Sequence, residues 1–206
     1  MKKFLSLMLL TAGVLLASSF APEDPVSGYK PGDIVRDFSL KNVDGKMMSL
    51  AALKDNKGVI LVFTCNHCPY SVAYEDRIIR LHEQYAPQGY PVVAVNPNDA
   101  VAYPADSYEN MQERAADKKF PFAYLHDETQ AIAKAYGATR TPHVYLLTRE
   151  KDQYRVAYIG AIDDNSNEPE LVKVKYLEAA LSEVMGGLAV SVPQTKAIGC
   201  SIKWKK

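Results

Sequence analysis

The chain has 206 residues, with 24 Lys and Arg against 24 Asp and Glu, and 48% of its residues are hydrophobic. That length suits one domain with a sizeable core. The balanced charge excludes a strongly basic nucleic-acid surface or a polybasic membrane patch, and three cysteines are too few for a disulfide scaffold.

The chain opens with positive charge at Lys2 and Lys3, and residues 4–16 are apolar apart from Ser6 and Thr11. Small residues follow at 17–19. This is the pattern of a secretory signal peptide over residues 1–21. Pro22 disfavours a cut directly before it, so cuts after Ala17 or Ser19 stay open. An uncleaved anchor is the rival, but the apolar run is short for a membrane span. The expectation is an exported protein, periplasmic or extracytoplasmic, that touches a membrane only through an uncleaved leader. Three prolines and two glycines mark residues 22–32 as a linker. A domain over 33–187 and a tail over 188–206 follow.

In chain order, residues 37–40 and 46–50 flank Asp44-Gly45, a hairpin turn in which glycine tolerates positive φ. Ser49 can cap a short helix through Leu53. Residues 59–63 are apolar and rich in β-branched side chains, which predicts a buried strand. A helix over about 68–85 carries Tyr74, Ile78, Leu81 and Tyr85 on one face. Residues 92–95 form the next strand, ended by Asn96-Pro97-Asn98-Asp99. Asp106 or Ser107 caps a helix to about Lys118. Residues 122–125 are a short strand. A helix over 129–136 stops at Gly137. Two strands, 143–147 and 155–159, precede a last helical stripe of Leu171, Val174, Leu177, Leu181 and Val184. The tail shows no period. This order predicts an α/β domain with a mixed central sheet and helices on both faces.

Cys65-Asn66-His67-Cys68 lies where the first core strand runs into the long helix. Free N–H groups and the positive end of the helix dipole favour a thiolate there, so the motif suits dithiol–disulfide exchange. The competing uses are a metal clip or an inert pair. A metal needs further ligands, and only His67 and His143 offer themselves. His67 can give a hydrogen bond or a charge to the thiolate, or simply face solvent. His143 can approach the cysteines or point into the other face of the sheet. His82 and His126 suit packing, and Asp163-Asp164 suits a turn. Cys200 sits in a tail that ends in Ile202 and Trp204. It is a possible third redox thiol, an intermolecular thiol, or a buried inert one.

These residues resemble the thioredoxin-like superfamily, in the redoxin branch related to alkyl hydroperoxide reductase and thiol-specific antioxidant proteins. The resemblance rests on the Cys-x-x-Cys after the first core strand, on Thr141-Pro142 before a late strand, and on the 30–50 hairpin. It also rests on an inserted helix and strand over 108–127, and it covers about 31–185. It implies a three-layer thioredoxin-like fold with an N-terminal hairpin and a βα insertion. It implies that Cys65 is the exposed nucleophile with a lowered pKa and that Cys68 is the buried resolving thiol. It implies a cis bond at Pro142, with Thr141 presenting backbone groups to a substrate strand. The superfamily's strongly oxidising members also carry His between the cysteines, which extends to His67 here.

The chain departs from the family in several places. Peroxidases of the branch carry Pro-x-x-x-Thr-x-x-Cys. Counted from Cys65 those places hold Gly58 and Val62, and counted from Cys68 they hold Leu61 and Cys65. Thr64 replaces a common Trp, and Val59 stands where thioredoxin keeps a buried Asp. The expected activity is thiol–disulfide exchange serving redox homeostasis, with protein thiols, disulfides and a redox protein as partners and no cofactor. The alternatives are a thiol-dependent peroxidase, or a copper-delivery protein using Cys65, Cys68 and a histidine.

Overall fold

The computed structural model describes residues 28–206. The leader, and the linker up to residue 27, lie outside the described residues. Residues 28–32 are laid against the domain: Tyr29 N–H donates to the Tyr136 carbonyl at 3.3 Å and Gly32 N–H to the Val156 carbonyl at 2.8 Å.

Ten strands and four α-helices follow among the described residues. The strands are β1 (Ile34–Val35), β2 (Ser39–Asn42), β3 (Met47–Ser49), β4 (Gly58–Phe63), β5 (Val92–Asn96), β6 (Ala123–His126), β7 (Arg140–Thr141), β8 (His143–Glu150), β9 (Gln153–Gly160) and β10 (Cys200–Ser201). The helices are α1 (Pro69–Tyr85), α2 (Tyr108–Asp117), α3 (Ala131–Tyr136) and α4 (Tyr176–Met185). Eight strands form one sheet in the order β1-β9-β8-β4-β5-β6-β2-β3, and β10 pairs with β7 apart from it. β4, β5 and β6 run parallel, while β8 lies antiparallel to β4. The sheet is mixed, as expected, and the hairpin β2–β3 joins it through β6.

Side chains alternate across a strand, so each central strand feeds two cores. Val59, Leu61 and Phe63 of β4 face one core with Val93, Val95, Tyr145 and Leu147, under Ala133 and Tyr136 of α3. Ile60 and Val62 face the other with Val92, Ala94, Val144 and Leu146. Tyr74, Ile78 and Leu81 of α1, Met111 of α2, and Leu177, Ala180 and Leu181 of α4 cover that second face. Helices therefore lie on both faces, which fixes the mouth of α1 at the end of the central strand β4.

One expectation changes. The last helix begins at Tyr176 rather than near Leu171. Leu171 ends a short 3-10 turn, and Leu171 and Val174 are exposed at 56% and 45%. The backbone of 173–174 is instead tied to Asp164: Lys173 N–H donates to Asp164 Oδ1 at 2.9 Å, and Asp164 N–H to the Val174 carbonyl at 3.1 Å. A helix through these residues would give up both bonds. The tail, which has no period in the sequence but ends in an apolar and aromatic patch, docks on the domain. Ile159 N–H donates to the Pro193 carbonyl at 3.0 Å and Thr195 N–H returns a bond to the Ile159 carbonyl at 2.9 Å before the chain reaches β10.

Candidate active site

β4 ends at Phe63, and two residues later Cys65 starts the turn into α1. Cys68 is the N-cap of α1, in extended backbone, and Pro69 follows at the first helical position, where a missing N–H costs nothing. No side chain caps this helix start. Cys68 Sγ makes no capping bond to the first N–H groups of the helix, and the Cys68 N–H acts on the Cys65 sulfur.

The sulfurs are not partnered as the sequence suggested. Cys68 forms a disulfide with Cys200, 132 residues away, with the Cα atoms 6.1 Å apart. Cys65 is the free thiol and is only 2% exposed. The expectation of an exposed Cys65 with a lowered pKa is corrected here. Burial pushes its thiol up, and the negative charge of Asp106 adds to that. The Thr141 hydroxyl, the Cys68 N–H and the Ser71 hydroxyl pull it partly back. Cys65 Sγ lies 3.3 Å from Thr141 Oγ1 and 3.9 Å from Ser71 Oγ.

Thr141 is the hub of the site. Its bond to Pro142 is cis. Its hydroxyl meets Cys65, and its carbonyl oxygen lies 3.2 Å from Cys68 Sγ. Its backbone pairs with Cys200 in the β7–β10 ladder. One residue thus touches all three cysteine positions. Sequence spacing could not supply the partner of Cys200, because strand pairing between 141 and 200 is a long-range event.

His67 is held from the side. Its Nδ1 donates to Asp106 Oδ2 at 2.5 Å, and its ring stacks on Tyr103 with centroids 5.2 Å apart. Asp106 is fully buried. Its Oδ1 also accepts from Asn66 N–H at 2.7 Å, and its Oδ2 from Asn98 Nδ2 at 2.8 Å. Asn66 is pinned further, donating to the Ala105 carbonyl and accepting from the Tyr124 hydroxyl at 2.8 Å. Cys65, His67 and Asp106 present side-chain atoms that all lie within 4.8 Å of one another. Three donors already occupy the Asp106 carboxylate, and the Cys65 sulfur has its hydrogen-bond contacts with the Thr141 and Ser71 hydroxyls, so the imidazole and carboxylate stand beside the thiol rather than in its hydrogen-bond chain. The copper set suggested by the sequence, Cys65 and Cys68 with a histidine, does not form here, because Cys68 is bonded to Cys200.

Asp106 and Asn98 are the site residues that the sequence did not single out. Asp106 was weighed only as a helix cap, and Ser107 takes that task by accepting from Asn110 N–H. A usable signal existed: the polar run 96–99 follows a parallel strand, and sites in such sheets gather beyond the carboxyl ends of their strands. His143 lies on the far face, accepting from Thr139 N–H at 3.4 Å with its ring beside Tyr145.

A family model described as the AhpC/TSA family matches residues 31–165. The chain is 40% identical to an uncharacterized conserved protein from Geobacillus kaustophilus of known structure, covering 85% of this chain and 93% of that one with a TM-score of 0.79. It is 25% identical over 146 residues to the thiol-disulfide oxidoreductase ResA of Halalkalibacterium halodurans, which is 70% of this chain and 78% of that protein. It is 26% identical over 106 residues to the chloroplastic peroxiredoxin Q of Triticum aestivum, 52% of this chain and 45% of that protein. The architecture is thioredoxin-like. Because the family match takes in the core strands, the cysteine turn and the cis-proline loop together, the chain belongs to the AhpC/TSA family.

Proposed function

We propose that the chain is an exported thiol–disulfide oxidoreductase of redox homeostasis in which Cys65, Cys68 and Cys200 exchange one disulfide. The observation that carries this is a free thiol, Cys65, beside an existing disulfide, Cys68–Cys200, with both sulfurs of the turn meeting Thr141. The leader pattern of residues 1–21 supports export.

The thiolate of Cys65, its proton released to His67 or solvent, attacks Cys68 Sγ. A Cys65–Cys68 bond forms, the Cys68–Cys200 bond breaks, and Cys200 leaves as a thiolate that takes up a proton. No electrons are gained or lost in this step. An outside dithiol then supplies two electrons to the Cys65–Cys68 bond, or an outside disulfide accepts two from the reduced thiols. Sequence resemblance made Cys65 the sulfur that meets the partner. Both sulfurs are buried, so burial does not choose between them; the bond from Cys68 to Cys200, on the strand paired with Thr141, supports Cys68 as the sulfur that faces the partner strand and Cys65 as the one that attacks Cys68.

Two measurements test this. Peptide mapping of the resting protein under acid should give a joined 68–200 peptide pair and a free Cys65. Cys65→Ser should keep that bridge and lower turnover of a polypeptide disulfide by at least roughly a hundredfold, as for loss of an essential nucleophile. Full turnover by Cys65→Ser removes the relay.

Peroxide reduction is a second reading, favoured by the similarity to a peroxiredoxin Q. There Cys68 thiolate would take an oxygen from a peroxide to become a sulfenic acid, and a second thiol would displace water to form the disulfide. Rapid loss of hydrogen peroxide by the reduced chain, absent in Cys68→Ser, tests it.

A further inference from the structure

The strand that carries Cys200 lies where a partner chain would have to lie. Cys200 pairs with Thr141 and Ser201 with Arg140, antiparallel, directly before the cis bond to Pro142. The pairing continues outward, because Ile202 N–H donates to the Thr139 carbonyl at 3.2 Å. Arg140 Nη1 donates to the Gly199 carbonyl at 3.3 Å. Lys203 N–H donates to Asn98 Oδ1 at 2.9 Å, and its carbonyl accepts from Asp99 N–H at 2.9 Å. These bonds use tail backbone, so any extended chain can make them.

Two positions are selective. A Cβ on Gly199 would collide with the Thr141 carbonyl, a backbone atom that cannot swing away. The residue before the bonded cysteine must therefore be glycine. Two residues after it, Ile202 is 3% exposed and belongs to the core cluster beneath α3. That place takes an aliphatic side chain. Between them Ser201 is exposed and unrestricted.

We propose that the tail is a resident stand-in for the substrate, and that the outside substrate is an extended polypeptide segment of the form Gly-Cys-any-aliphatic whose cysteine takes the place of Cys200 against Cys68. This rests on the exchange reading above and adds the substrate class to it. The chemistry balances. The Cys68 thiolate attacks the substrate cysteine of a disulfide, the former partner sulfur leaves as a thiolate, and a Cys68–substrate bond forms. The Cys65 thiolate then attacks Cys68 and releases the substrate cysteine as a thiolate. The two electrons come from Cys65 and Cys68, which end as a disulfide. While Cys68–Cys200 is intact the tail fills the groove, so the oxidised chain is closed to such segments.

The test uses the full chain carrying Cys200→Ser, reduced beforehand. The substrates are three peptides copied from residues 197–204, each with its cysteine joined to thionitrobenzoate. One has the natural order, one carries Gly199→Val and one Ile202→Asp. Coloured thionitrobenzoate release reports the attack. The natural copy should react at least roughly tenfold faster than either altered copy, a gap worth about 1.4 kcal/mol. Equal rates for the three peptides overturn the proposal. Dithionitrobenzoate alone, which needs no groove, separates the two failures. If the chain consumes it but treats the peptides alike, only the substrate class falls. If the chain is inert to it, the exchange reading falls too. Cys200→Ala should give the same ranking, which removes dependence on one replacement.

Discussion

Asp106 bears on the free thiol through its charge, and it also holds the ring of His67. It is the second cause that raises the Cys65 thiol, after burial. Asp106→Asn removes that charge, so the pH at which Cys65 becomes reactive should fall. His67→Leu leaves the carboxylate facing sulfur without its imidazole donor, so that pH should rise. Alkylation of Cys65 against pH, followed by mass spectrometry, reads both shifts, and unchanged profiles would disconnect Asp106 from the thiol. His143 gives a stability prediction. Burial lowers its pKa from 6.5 to about 4. The unfolded chain then binds more protons than the folded one between those values, so stability is lost as pH falls from about 6.5 toward 4. The full effect is about 3 kcal/mol. His143→Phe should flatten the dependence of the urea midpoint on pH across that window relative to the parent chain. An equal slope in both proteins would mean that His143 is not the group responsible.

Elements with a strong local period were legible, and those shaped by distant partners were not. β4 and α1 follow from an unbroken apolar run and a regular apolar stripe, because burial on two faces or on one stripe leaves that signature in the sequence. The start of α4 was misplaced because Leu171 and Val174 happen to continue its spacing. Asp164 holds the backbone of Lys173 and Val174 elsewhere, and no pattern within the helix records that. The two leucines should therefore behave differently. Leu177 is fully buried under the sheet, so Leu177→Ala should cost about 2–5 kcal/mol. Leu171→Ala at an exposed site should stay within about 0.5 kcal/mol. Urea unfolding of both variants compares them directly, and a large loss at Leu171 would contradict the observed helix start.

At the scale of the molecule, the tail closes the site and ties two ends of the fold. The Cys68–Cys200 bond spans 132 residues, and a cross-link over so long a loop restricts the unfolded chain strongly. Oxidised protein should exceed reduced protein in stability by about 2–5 kcal/mol, read from urea midpoints with and without dithiothreitol. No difference would mean that the tail bond adds nothing to the fold.

The cis bond at Pro142 came from the family resemblance, while the sequence by itself determined the layered sheet and the cysteine turn at the mouth of α1. Each of these is written in neighbouring residues, through alternation, helical spacing or a fixed motif. Only the tertiary structure decided which sulfurs are joined, where the tail lies and what holds His67. Those outcomes depend on Thr141, Cys200, Asp106 and Asn98 meeting in space. A disulfide or a strand pair is set by the approach of atoms across the fold, and no local periodicity encodes that distance.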